Sequence, residues 1–252
     1  MLDALRLSVG TLTIVPSGTI AQIERRTAAR AMIIAPLAVL PLAVAVALLG
    51  WLARTVGLPP PAVGLLVVGG LALGSRALHL DGLADTVDGF GSGWSAERSL
   101  TVMRRGDVGP MGVVALIIVL GLQAVSVGEL ITGVSGALLV GVAVCCSRAA
   151  LCLTCVRGVP AARDDGLGVA VADSVPRAAA AGCWLAVLLI TTGAAWLSGH
   201  NPVTGMLAAV AAAVMVALLI YRCVRRLGGV TGDVMGAAIE IAFTVMITVM
   251  II

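Results

Sequence analysis

Lysine is absent from this sequence: all 16 basic residues are arginine, and no basic run gathers them. Aromatic residues make up only 3% of the chain. A nucleic-acid surface needs a positive stripe, and single-strand readers add stacking rings. A net charge of +3 spread over 252 residues offers neither, so no nucleic-acid partner is expected. The same scarcity of rings leaves no well-developed aromatic belt at the membrane interfaces. No cleavable leader is expected, because acid and base occur together near the N-terminus and no long apolar run precedes a small-residue site. The six cysteines fall mostly in apolar stretches. Cys152 and Cys155 have the spacing of half a zinc site, but no second ligand pair is near them, so buried packing is the expected role. No internal repeat is evident, which argues against the paired halves of a transporter.

What is abundant is apolar: 60% of the residues are hydrophobic and only 12% are charged. Runs long enough to cross about 30 Å of hydrocarbon occur at 31–52, 62–80, 111–128, 132–156, 178–198, 203–221 and 235–252. The expected fold is all-α, a polytopic membrane bundle of about seven transmembrane helices forming one catalytic domain over 1–252. Pro36 and Pro41 predict a kink or short break in the first run. Residues 2–15 are apolar but short, and 1–30 reads as a cytoplasmic or interfacial segment. Arg6, Arg25, Arg26 and Arg30 precede the first span. Arg76, Arg98, Arg104 and Arg105 flank the loop after the second. Arg157, Arg163 and Arg177 follow the fourth, and Arg222, Arg225 and Arg226 follow the sixth. Only Arg54 falls on the other side, and Arg148 lies inside a span. The positive-inside rule therefore predicts a cytoplasmic N-terminus, cytoplasmic long loops and a site facing the cytoplasm.

Against that apolar background, Asp81, Asp85 and Asp88 stand at i, i+4 and i+7, on one face if the segment is helical. Two bare negative charges about 4 Å apart repel by about 4 kcal/mol at an effective dielectric near 20. Either the segment is a solvated helix end, or a cation sits among the acids. Magnesium fits best, being hard, oxygen-seeking and accustomed to bridging one or two carboxylates to substrate phosphates.

Four further features carry chemistry. Glu240 lies about 10 Å into the last span and Arg148 about 12 Å into the fourth, by helical rise; they suggest a pair or a shared polar cavity, or a purely structural ion pair. Gly228, Gly229, Thr231 and Gly232 form a loop whose backbone can approach a phosphate at a helix start. Asp233 beside them is a metal or substrate contact, or a plain N-cap. Arg163 and Arg104 sit in loops with acids, suited to phosphate oxygens or simply solvated. His79 is a candidate base or phosphate donor, or a polar helix cap.

Taken together, HLDGLADTVDG (79–89), CSRAAL (146–151), ARDDGLG (162–168) and LGGVTGDVMGAAIE (227–240) resemble the cobalamin-5′-phosphate synthase family. Those membrane enzymes are also called adenosylcobinamide-GDP ribazoletransferases. The resemblance implies magnesium-dependent joining of adenosylcobinamide-GDP to α-ribazole or its 5′-phosphate, with release of GMP, in a bacterial or archaeal cytoplasmic membrane. It carries the acidic metal motif onto Asp81, Asp85 and Asp88. The C-terminal motif falls on Gly228, Gly229, Thr231, Gly232, Asp233 and Glu240, and the middle motif on Arg148, Arg163 and Gly166. The chain departs from the family pattern at Arg105 and Asp107, at Thr13-Ile14-Val15-Pro16, and at Phe243. A lipid-directed transferase of the CDP-alcohol or polyprenyl type is the alternative, though those spread their acids differently. The oligomeric state is left open, a homo-oligomer included.

Overall fold

The computed structural model describes residues 1–20, 23–93 and 95–252. Thirteen helices account for its regular structure, and the described residues contain no strand, only two isolated backbone bridges. Six segments are long and apolar enough to cross a bilayer. They are Arg25–Thr55 (α2, Arg25–Ala38, and α3, Leu40–Thr55), Pro110–Leu130 (α7), Val134–Thr154 (α8, Val134–Ser147, and α9, Ala150–Thr154), Arg177–Leu197 (α11), Pro202–Leu227 (α12) and Gly232–Met250 (α13). The first is interrupted at Val39, with Pro36 inside α2 and Pro41 opening α3, as the prolines predict.

The second apolar run does not continue as expected. It forms α4 (Pro60–Gly74), then turns by 91° into α5 (Leu78–Gly91), so a seventh span exists only as this bent pair. The elbow is built by Arg76 and Ala77, both left-handed, with φ of 57° and 54°. The short α1 (Leu2–Leu12) clamps that elbow. The Ile14 amide donates to the Gly74 carbonyl at 2.7 Å, and the Arg76 guanidinium donates to the Gly10 carbonyl at 2.6 Å. Its other face packs on α2, where the Ser8 hydroxyl donates to the Ala31 carbonyl at 3.0 Å.

The most enclosed elements are α13 and the α8–α9 segment, at 67% and 72% buried, whereas the other spans turn most of their surface outward. In a bilayer that outward apolar face is covered by lipid, and helices associate through close small-residue contacts. Two such contacts place the site. A Cβ on Gly82 would lie 2.6 Å from the Asp233 carbonyl oxygen, and one on Gly236 would lie 3.1 Å from the His79 Cα. Only glycine lets α5 lie this closely along the first turns of α13.

Candidate active site

The 79–89 segment is helical, so Asp81, Asp85 and Asp88 do share a face of α5. Asp81 is exposed, while Asp85 and Asp88 are each only 8% exposed. Because α5 lies on the start of α13, the acids sit beside the C-terminal glycine turn. Asp85 has Asp81, Asp233 and Asp88 as like-charged neighbours and Arg163 as its opposing charge.

The three acids are not equivalent. Asp88 Oδ2 accepts from the Gly109 amide at 2.7 Å and Oδ1 from the Gly112 amide at 2.9 Å. Those amides open α7, whose own N-cap is a glycine with no side chain to offer. Asp88 thus caps α7 from a neighbouring helix, satisfying donors that a helix start leaves orphaned. Of the three acids, Asp88 is the one already occupied by protein donors. Among the described residues, no three His, Cys, Asp or Glu side chains gather closely enough to hold a metal. The side chains of Asp81 and Asp85, by contrast, take no hydrogen bond or ion pair from any described residue. Two uncommitted carboxylates beside a polar pocket are a donor set that fits magnesium, which keeps several waters and shares its remaining positions with phosphate oxygens.

The glycine turn begins where α12 ends at Gly228, in the left-handed conformation with φ of 83°. Next to it, Gly229 meets the 160–162 loop so closely that a Cβ would stand 2.3 Å from the Pro160 carbonyl oxygen. The Val230 amide donates to Pro160 and the Ala162 amide donates back to Val230, each at 2.9 Å. This pairing ties the 162–168 motif to the 227–240 motif. Thr231 is the N-cap of α13, its hydroxyl oxygen accepting from the Val234 amide at 3.3 Å, so capping is not the role of Asp233. Asp233 instead receives the Thr231 hydroxyl at 3.1 Å and Arg163 Nη1 at 3.3 Å. Arg163 Nη2 donates to the Leu100 carbonyl at 3.1 Å, and its Nε has no partner. Arg104 donates to Asp165 at 2.8 Å, drawing the 103–109 loop to the same mouth. Between them lies a pocket of about 220 Å³ lined by Arg163, Asp165, Gly168, Thr231, Gly232 and Asp233, among others.

Three expected site residues lie elsewhere. His79 is buried, its Nδ1 3.9 Å from Glu240 Oε1, and neither ring nitrogen is hydrogen-bonded. Glu240 Oε2 accepts from Gln123 at 2.7 Å, and Gln123 also reaches the Thr244 hydroxyl at 3.0 Å. Arg148, at the α8–α9 joint, donates to the Val144 carbonyl at 2.8 Å and to the Ser147 hydroxyl at 2.9 Å. Arg148 and Glu240 do share a cavity, but it measures about 10 Å³, room for one water at most. Seven residues of α13, about 10 Å of rise, separate Glu240 from Asp233. Arg148 and Glu240 thus lie together apart from the glycine turn, and His79 faces this inner cluster instead of the mouth.

Residue reasoning missed Gln123, Gly109 and Gly112. A glutamine midway along an apolar span is itself a signal of an intramembrane partner. Gly109-Pro110 opening a helix without a Ser, Thr, Asp or Asn cap signals a borrowed one.

Uncommitted acids facing arginines and a glycine-lined helix start, at one end of a membrane-spanning bundle, define a class: polytopic membrane proteins equipped for phosphate-linked substrates. Within that class the chain belongs to the Cobalamin-5-phosphate synthase family, whose profile matches residues 4–251. A Nocardioides protein named adenosylcobinamide-GDP ribazoletransferase is 52% identical over 176 residues, covering 70% of this chain and 76% of its own length. Proteins of the same name are 37% identical over 227 residues in Frankia casuarinae (84% and 79% covered) and 34% over 190 residues in Bradyrhizobium diazoefficiens (74% and 72%). No solved structure matches the chain.

Proposed function

We propose that this chain joins adenosylcobinamide-GDP to α-ribazole or α-ribazole 5′-phosphate, with release of GMP, at the cytoplasmic face of a bacterial cell membrane. The observation that carries this reading is convergence: motifs at 162–168 and 227–240 line one pocket, and the unpaired Asp81 and Asp85 of the 79–89 motif neighbour Asp233 on its wall. Asp81 and Asp85 would hold magnesium, with Asp233 close by. Bound there, the ion would supply charge neutralisation on the diphosphate and on the departing GMP.

The chain's own residues do the rest. The backbone amides of Gly232 and Asp233, in the first turn of α13, meet phosphate oxygens, favoured by the helix dipole. Arg163, with a free Nε edge, and Arg104, on the opposite loop, clamp the remaining oxygens. A ribose hydroxyl of the acceptor attacks the phosphorus bonded to the corrinoid side. The new O–P bond forms as the P–O bond to GMP breaks, and the hydroxyl proton passes to a carboxylate of the Asp81–Asp85 pair. Asp88 keeps α5 and α7 in register so that this pair stays aimed at the pocket. Enclosure beneath the loops limits attack by water, which would merely hydrolyse the activated corrinoid.

The test is purified protein incubated with both substrates, with and without magnesium, reading GMP and the joined product. Product formation that needs the divalent ion, and its loss in Asp85→Asn with the protein still membrane-inserted, is the expected result. Robust turnover by Asp85→Asn, or turnover unaffected by chelation, overturns the metal assignment. The arginine-rich end is assigned to the cytoplasm by the positive-inside rule. Reporter fusions at the 157–165 loop and the 199–201 turn should report opposite sides, with the former inside.

A further inference from the structure

A second cavity lies far from the acids. A groove of about 790 Å³ runs between α2–α3, α8 and α11, and its walls are almost entirely apolar. From Ile33 to Trp51 it follows 18 residues of α2–α3, about 27 Å at 1.5 Å per residue. That matches the hydrocarbon thickness of a bilayer, about 30 Å. Its floor is made of short side chains, among them Ala43, Ala47, Ala137, Gly141 and Ala186. The α3–α8 approach is close enough that a Cβ on Gly141 would meet the Ala47 Cβ at 3.5 Å. The groove is therefore a cleft formed where small residues draw helices together and α11 stands off.

What enters it is indicated by the end of one wall. Ile33, Leu37, Leu40, Val44 and Leu48 line the groove at helical spacing. The same spacing carried back along α2 falls on Arg30 and Arg26. Arg25 is engaged by the carbonyl and carboxylate of Asp173. Arg26 and Arg30 are exposed and have no hydrogen bond or ion pair with any described residue. An apolar channel at bilayer depth, ending in two unpaired guanidinium groups, has the polarity of a phospholipid: an acyl chain below and an anionic phosphate above.

We propose that this groove is a binding site for an anionic phospholipid, with its acyl chain between α3 and α11 and its headgroup phosphate on Arg26 and Arg30. Nothing in this reading depends on the transferase chemistry, and its readout is binding, not turnover.

The test uses the full chain, delipidated in detergent and incubated separately with phosphatidylglycerol and phosphatidylcholine of identical acyl chains. Retained lipid is counted by native mass spectrometry. Wild type should keep one phosphatidylglycerol and far less phosphatidylcholine. The double variant Arg26→Gln, Arg30→Gln, altered only at exposed positions, should lower phosphatidylglycerol retention about ten-fold or more. Val44→Trp, which fills the groove from an exposed position, should lower retention of both lipids. Equal retention of the two lipids, or no effect of either variant, means ordinary annular lipid and overturns the proposal. So does a lipid-free dimer that Val44→Trp converts to monomer, since the groove would then be a subunit interface.

Discussion

The clearest separation of roles within the acidic motif comes from comparing Asp88→Asn with Asp85→Asn. Asp88 holds two amides of the α7 start, at 2.7 and 2.9 Å, on a carboxylate that is 8% exposed. Asparagine keeps one acceptor oxygen and presents its NH₂ to the second amide, donor against donor. One charge-assisted hydrogen bond is lost, and with it the negative charge that complements the α7 dipole. Together these cost about 2–3 kcal/mol. For a chain of this size that is a fall in melting temperature of about 4–12 °C. Asp85 has no protein donor to lose and three like charges around it. Its neutralisation should leave the melting temperature unchanged or higher while removing activity. Both variants would be melted in the same detergent, without substrates and with chelator present, and then assayed for GMP at a temperature where each is folded. If Asp88→Asn melts with wild type while Asp85→Asn falls, the division into a latch and a working carboxylate is wrong.

Other outcomes follow from the same geometry. Gly229→Ala forces a Cβ to within 2.3 Å of the Pro160 carbonyl; the 157–165 loop should detach, seen as faster proteolysis there and a loss of turnover. Gln123→Leu strands Glu240 Oε2, while the Thr244 hydroxyl keeps its bond to the Glu240 carbonyl; the cost is about 1–3 kcal/mol, readable as a lower melting temperature with KM unchanged. Arg104→Gln removes an exposed pair with Asp165, so stability should change by less than about 1 kcal/mol while KM for the activated corrinoid rises. His79→Gln should leave the pH dependence of kcat unshifted, since the ring faces the inner cluster; loss of the acidic limb, where a protonated base stops working, would restore His79 as the proton acceptor.

The acidic face of α5 was legible because helical spacing alone aligns positions 81, 85 and 88, and the spans were legible because hydrocarbon thickness sets a run length. The mouth was legible through its glycines, which gather around Thr231 at a turn that leads straight into a helix start. The elbow after Gly74 was not. Ser75-Arg76-Ala77 contains neither glycine nor proline, and a left-handed pair of ordinary residues leaves no mark in a hydropathy profile. The cap made by Asp88 was hidden for a related reason: its partners are backbone amides, which every residue but proline possesses. Depth counting put Arg148 and Glu240 at one level, and they share a cavity. It could not show that Gln123 of another helix occupies Glu240 first, nor that the cavity closes to the size of one water.

Two consecutive left-handed residues without glycine cost about 1–2 kcal/mol each, and Arg76 and Ala77 bear that cost at the bend beneath the acids. The hydrogen bonds from Ile14 and to Gly10 hold the bend shut. The first fourteen residues thus act as a splint on a sprung joint. Shortening the protein from its amino end would leave that bend to be held only by the packing of α5 on α13 and by the Asp88 bonds to α7, without touching a single residue of the pocket.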